Sequence, residues 1–281
     1  MPGSVSSAVA AVDRTRGRFT QLLRSGLDGS QQVEGLSWTI RDLAAHLASG
    51  SIAYRQVAEG EPSPYDSLDR RRETNQQRLE AEATDDLGAM ADQIDAEVTR
   101  MLAALGSRAG DVVSWHGGQT LPVTAFLGSV VGEFVFHGCD LASTVEQKWP
   151  IERRDALPII DFFVAVTPLM LDAKSTSGLT ATYELRFRGY ETATFVFDNG
   201  ALSVTPGPAR RADVRMSLDP VAFLRVGYKR SGLTSAILRG QAIAWGRRPW
   251  LALGFPGLFQ EVFYGYLCPD IQSVFRNPHN Q

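Results

Sequence analysis

The sequence is poor in cysteine, carries no lopsided charge and contains no long unbroken apolar run. Two cysteines in 281 residues, Cys139 and Cys268, supply neither a disulfide framework nor a cysteine-rich zinc site. Cys139 is expected to act as a small buried hydrophobe rather than as a reactive thiol. The 28 Lys and Arg against 31 Asp and Glu leave a net charge of −3, which gives no electrostatic reason to expect nucleic acid or an anionic membrane surface as a partner. Apolar runs such as ALPIIDFFVAVTPLML are broken by Pro158, Asp161 and Pro168, short of the roughly 18–20 residues that a membrane span needs. The opening MPGSVSSAVAAVDRTRGRF has a weak apolar segment and no basic n-region, so no secretory signal is expected and the cytoplasm is the simplest compartment. There is no internal repeat and no low-complexity segment.

What is present is the composition of a globular protein, 44% hydrophobic and 21% charged, with chain enough for one large domain or two ordinary ones. The first half reads as helices. In VAAVDRTRGRFTQLL, Val9, Val12, Phe19, Leu22 and Leu23 recur at roughly helical spacing. A second helix starts at Thr39, whose hydroxyl can cap the N–H of Asp42 while Asp42 reaches back, a Thr-x-x-Asp capping box. Leu43, Leu47 and Tyr54 continue its apolar stripe. A polar third helix is expected over about 67–105, broken near Thr84 to Asp86, and Pro122 suits the first turn of a fourth. Four long helices with polar connections predict a bundle over residues 1–150.

Beyond residue 150 and one more helix, the text turns strand-like. LTATYELRFRGYETATFVFDNGALSVTPG alternates with period two, with turns expected at RGYE and DNGA, an antiparallel meander. ADVRMSLDP predicts another strand followed by a helix capped by Asp219 with Pro220 in its first turn. LRGQAIAWG places glycines at either end of a short strand. Residues 151–281 are therefore expected to form an α+β domain with an antiparallel sheet.

One stretch stands out chemically. GEFVFHGCDL, residues 132–141, sets Glu133 and His137 one above the other on a helix face otherwise built of Val131, Phe134, Val135 and Phe136. An exposed Glu–His pair at this spacing is a common weak stabiliser. Among these neighbours, however, Glu133 is hard to place in water, and a cation would remove the cost of burying it. His46, in LAAHLAS, lies on another amphipathic bundle helix and is either a satisfied core histidine or a third ligand facing the same interior.

WTIRDLAAHLA and GEFVFHGCDLA resemble the two signature segments of the DinB-like metal-binding bundle, and most of all its mycothiol-dependent maleylpyruvate isomerase branch. The match runs through Trp38, Thr39, Asp42, Leu43, His46 and Leu47, then Glu133, His137, Gly138, Asp140 and Leu141. ADVRMSLDPVAFLRV, AILRGQAIAWG and PWLALGFPGLF resemble the sterol-carrier-like module that often follows. The resemblance implies a four-helix bundle joined to a sterol-carrier-like α+β domain. It implies a divalent metal, zinc first, on His46, Glu133 and His137, with open positions for catalysis. It also implies mycothiol as a thiol cosubstrate, used on a small electrophile by isomerisation or by S-transfer.

The resemblance further implies a role for Arg230, in GYKRSGL, as a clamp on a substrate carboxylate. The branch tends to have glycine before that arginine, where this chain has Lys229. A solvated helix end is the plainer alternative for Arg230. Asp140 is either a group that orients a ligand or an exposed helix residue. Trp38 is expected to staple a helix entry, His116 to sit at the surface, and Arg247 and Arg248 to form a solvated turn. Two other functions compete with thiol chemistry. One is a carrier of an apolar ligand with an inactive bundle; the other is a non-haem iron oxygenase, which shares the two-histidine, one-carboxylate ligand set.

Overall fold

The computed structural model describes residues 4–65, 71–106 and 112–259. Cys268 and the expected start of the third helix near residue 67 lie outside the described residues.

The helical half contains α1 (Val5–Leu23), α2 (Ile40–Ala58), α3 (Arg71–Glu82), α4 (Leu87–Leu105), the ribbon strands β1 (Val112–Ser114) and β2 (Thr120–Pro122), and α5 (Val123–Thr144). The capping box is present: Asp42 N–H donates to Thr39 Oγ1 at 3.2 Å and Thr39 N–H to Asp42 Oδ2 at 3.0 Å. The expected third helix is two helices. Asp86 ends the continuity because its carboxylate accepts from Ala89 N–H at 2.9 Å and caps a new start. The long helices α1, α2, α4 and α5 form the bundle, with α3 against α2.

Among the described residues, α5 is the one helix long and apolar enough to cross a membrane, but 94% of its apolar window is buried in the protein. Its apolar faces are filled by the bundle and by α6 (Arg153–Val166). At Gly128 a Cβ would strike the Pro158 carbonyl of α6, so glycine lets the two helices touch backbone to backbone.

In the second half come the short α7 (Ala173–Thr176), then β3 (Ala181–Phe187), β4 (Thr192–Asp198), β5 (Ala201–Pro206) and β6 (Val214–Leu218). The helices α8 (Pro220–Gly227) and α9 (Leu233–Leu238), strand β7 (Ala242–Gly246) and α10 (Leu251–Gly254) follow. Both expected turns occur, and Asn199 (φ 48) with Gly200 (φ 91) makes the tight one. Asp219 caps α8 by accepting from Ala222 N–H at 2.9 Å.

The sheet order is β5-β4-β3-β6-β7, and one expectation needs correcting. The meander is antiparallel, but β3 and β6 run parallel, so the sheet is mixed. Residues 207–213 cross the sheet from β5 to reach β6. This path is held by Glu184, which is fully buried and accepts from Ala209 N–H at 2.9 Å. The opposite face of the sheet carries Tyr183, Leu185, Phe195 and Phe197. Phe163 of α6 meets that face, with ring centroids 6.2 Å from Phe195 and 4.9 Å from Phe223 of α8. A single hydrophobic core thus runs from the bundle through α6 into the sheet.

Candidate metal centre

His46 projects from the second turn of α2, and Glu133 and His137 from adjacent turns of α5. All three are buried. Glu133 Oε2 lies 3.4 Å from His46 Nε2 and 3.3 Å from His137 Nε2, and one ligand atom from each residue falls within 4.8 Å of the others.

Each imidazole has a polar side chain opposite its other nitrogen. His46 Nδ1 lies 3.1 Å from Asn75 Oδ1 on α3; an N–H donated there leaves the Nε2 lone pair facing Glu133. His137 Nδ1 faces Asp140 Oδ2 at 3.6 Å, and the other oxygen of that carboxylate accepts from Arg230. Trp38 closes the site, its ring centroid 4.8 Å from that of His46 and 6.3 Å from that of His137.

The electrostatics follow from burial and charge. Burial pushes the Glu133 carboxyl up, but the neighbouring His137 and His46 outweigh it and bring the group down to about 2. Burial pushes His137 down, yet Asp140 and Glu133 together raise it to about 9. His46 stays below its ordinary value because burial dominates there. Around neutral pH the metal-free triad is therefore one carboxylate, one neutral imidazole and one imidazolium.

Does a divalent cation fit? Ligands about 2.0–2.1 Å from a tetrahedral zinc stand about 3.3–3.4 Å apart. The two Glu133–histidine separations, 3.4 and 3.3 Å, already have that spacing. The donor set, two nitrogens and one carboxylate oxygen, suits zinc and leaves positions open. A cation entering would displace the His137 proton.

Beside the triad is a small cavity of about 40 Å³. His46 and Glu133 form part of its wall, together with Tyr54, Ser63, Trp115 and His116. His116 was expected at the surface; the structure puts it on this wall. Gly117 (φ 63) and Gly118 (φ 73) fold the loop back, Gly117 N–H donates to Tyr65 O at 2.9 Å, and His116 Nδ1 lies 3.1 Å from Ser63 Oγ.

The remaining candidates fall as follows. Arg230 is not on the cavity wall; its guanidinium pairs with Asp140, with the side chain 34% exposed. Lys229 takes φ 50, the left-handed region that favours glycine. Asp140 is only 2% exposed, which removes the exposed-residue alternative. Trp38 packs on the imidazoles instead of serving only the helix entry. The Cys139 thiol is pushed up to about 11 by burial and by Asp140, the behaviour of an inert thiol. Arg247 is exposed and pairs with Asp213 at 2.6 Å, and Arg248 donates to Thr180 O at 3.3 Å, as suits a turn. Asn75 was missed, since a lone asparagine in a polar helix carries no signal of its partner.

Residues 9–142 match the family model described as the mycothiol maleylpyruvate isomerase N-terminal domain, so the resemblance read from the two signature segments is shown for the helical half. Among solved structures, a histidine variant of the mycothiol-dependent maleylpyruvate isomerase is similar over 86% of this chain and 93% of its own, at 15% identity and a TM-score of 0.50. The same isomerase without that substitution is similar over 82% and 91%, at 18% identity and a TM-score of 0.49. Sterol carrier protein 2 like 2 from Aedes aegypti is similar over 38% of this chain and 100% of its own, at 16% identity and a TM-score of 0.32. The first of these shows a shared fold, a helical region followed by a sheet-containing one. No curated protein matches the sequence.

Proposed function

We propose that this protein is a metal-dependent enzyme that uses a low-molecular-weight thiol, mycothiol, as its nucleophile on a small electrophilic substrate. Isomerisation of a maleylpyruvate-type double bond is the first reaction to test and S-transfer the second. The observation that carries the reading is the convergence of His46, Glu133 and His137 from two helices 87 residues apart in sequence. In this reading the three side chains hold a divalent cation, with zinc first. When bound, such a cation lowers the pKa of a thiol that reaches it and keeps it as thiolate.

The chain's own residues do the rest. Asn75 holds the His46 ring with Nε2 turned inward, and Asp140 faces the other nitrogen of His137. Trp38 excludes water from one side, and the cavity beside His46 and Glu133 is the approach for the thiol. In isomerisation the thiolate adds to one alkene carbon, the former double bond turns, and the carbon–sulfur bond breaks again to return the thiolate. In transfer the carbon–sulfur bond stays: either the electrophile's leaving group departs with its bonding pair, or the carbanion formed by addition takes a proton from water. Residues 1–150 would carry the metal and 151–281 would complete the site through Arg230, which pairs with Asp140. A cytoplasmic location suits a cosubstrate that has to stay reduced.

The test is to measure metal content of the purified protein, then incubate the same sample with mycothiol and a panel of electrophiles. Stoichiometric metal with thiol-dependent turnover supports the proposal; protein that takes up no metal and consumes no thiol ends it. A second reading, a carrier of an apolar ligand, is favoured by one observation. Among the described residues a groove of about 1060 Å³ lies between α8, α9, β6 and β7, lined by Phe223, Ile237, Ile243, Trp250 and Leu253. Saturable displacement of a fluorescent fatty acid, with no thiol turnover, would favour the carrier.

A further inference from the structure

We infer that Arg230 is a positioning residue for the metal ligand His137, acting through Asp140, so that the C-terminal half sets the geometry of a site built in the helical half. This rests on the metal reading above.

Three observations carry it. First, the Arg230 guanidinium donates to Asp140 Oδ1 while Asp140 Oδ2 faces His137 Nδ1 at 3.6 Å, so the two oxygens of one carboxylate face the arginine and the ligand. Second, the join is internal: His137 is 1% and Asp140 2% exposed, and a buried carboxylate that loses its cation is costly to keep in place. Third, the segment after α8 grips α5 on both sides of His137. Tyr228 stacks on Phe136, the residue before it, and Arg230 holds Asp140, the residue three after it.

The backbone shows how Arg230 gets there. Lys229 at φ 50 reverses the chain at the end of α8, and Arg230 N–H and Ser231 N–H donate to Arg225 O at 2.7 and 3.1 Å. Removing Arg230 leaves the Asp140 carboxylate without its cation. The side chain then turns to other partners, and the carboxylate that faces His137 Nδ1 at 3.6 Å is no longer held there. A substrate clamp would affect substrate binding alone. A positioning role reaches the metal before any substrate is present.

The experiment uses the full chain. Zinc affinity is measured by chelator competition for wild type, Asp140→Asn, Arg230→Gln, Arg230→Lys and the double variant, with thermal melts as a check on folding. Histidine ¹⁵N spectra are recorded on the metal-free proteins. We expect Asp140→Asn and Arg230→Gln each to weaken zinc about 10- to 100-fold. The double variant should be no weaker than the worse single one, and lysine should restore part of the loss. The His137 Nδ1 resonance should move in both single variants while that of His46 stays. Unchanged zinc affinity with a raised KM in Arg230→Gln would overturn the proposal in favour of the clamp, and additive losses would overturn the link through Asp140. Wild-type protein that takes up no zinc would sink the metal reading itself; the spectra would then still decide whether Arg230 positions His137.

Discussion

The indole of Trp149 lies against the backbone of Gly138, the residue that follows His137, so closely that a Cβ added there would overlap the ring. Arg18 of α1 lies over the Trp149 ring, its guanidinium carbon 4.2 Å from the centroid, and helps hold the indole in place. The glycine of the His-Gly pair is thus a packing requirement beside the ligand. Gly138→Ala should cost about 1–3 kcal/mol by overpacking. Because the displaced segment carries His137, metal affinity should fall as well. Chemical denaturation and chelator competition on one sample check both; a variant as stable as wild type would show that the indole moves freely.

Much of this was legible in the sequence where the physics is local. The Thr39–Asp42 box, the Asn199–Gly200 turn and the Asp219 cap each depend on residues no more than three apart. The i, i+4 spacing of Glu133 and His137 is equally local, and their apolar neighbours announced burial. What the sequence did not disclose depends on chain paths. Asn75 reaches His46 from a separate helix, Arg230 reaches Asp140 across 90 residues, and β3 and β6 become parallel neighbours through a crossover. His116 faces the cavity only because two glycines with positive φ fold its loop back. None of these has a periodicity to read.

Replacing a ligand separates the site from the fold. His46→Ala removes an imidazole whose ring is already largely packed by Trp38, and His137→Ala removes one from a site in which Glu133 then has a single basic neighbour. Both variants should lose stoichiometric metal and at least a hundredfold of thiol-dependent turnover, while circular dichroism still shows the folded helical content. Full turnover in metal-free protein would refute the assignment of the triad. His46→Ala is the cleaner test of the two, because His137 also faces Asp140.

The metal-free protein should have a defined pH response. His137 is raised from its ordinary 6.5 to about 9 in the folded state, so the stability it contributes is complete below pH 6.5 and is lost as pH rises through 9. Glu133 is lowered from 4.5 to about 2, so its contribution is complete above pH 4.5 and is lost as pH falls through 2. Because His46 is held below its ordinary value by burial, it costs stability as pH falls below 6.5, so chelator-treated protein should be most stable near pH 6.5 as far as this triad is concerned, and lose on the order of a few kcal/mol towards pH 10. His137→Gln should flatten the alkaline limb. Urea denaturation at intervals between pH 6 and 10 measures it, and parallel curves for the two proteins would show that His137 does not hold the proton.

The end of α8 offers a gain of stability rather than a loss. Lys229 sits at φ 50, where a Cβ crowds the backbone at a cost of about 1–2 kcal/mol. Glycine relieves that crowding but gives the unfolded chain more freedom, an opposing effect of about 0.4–1 kcal/mol. Lys229→Gly should therefore stabilise the protein by on the order of 0.5–1 kcal/mol, a rise in Tm of about 1–4 °C. Lys229→Val, with a branched Cβ in the same conformation, should lower Tm instead. The pair also tests how firmly the turn delivers Arg230 to Asp140. Glycine preserves the turn and should leave zinc affinity unchanged, whereas valine strains it and should weaken zinc along with stability. If both variants melt alike, the left-handed conformation at residue 229 is not held in solution, and the grip on α5 must depend on Tyr228 and Phe136.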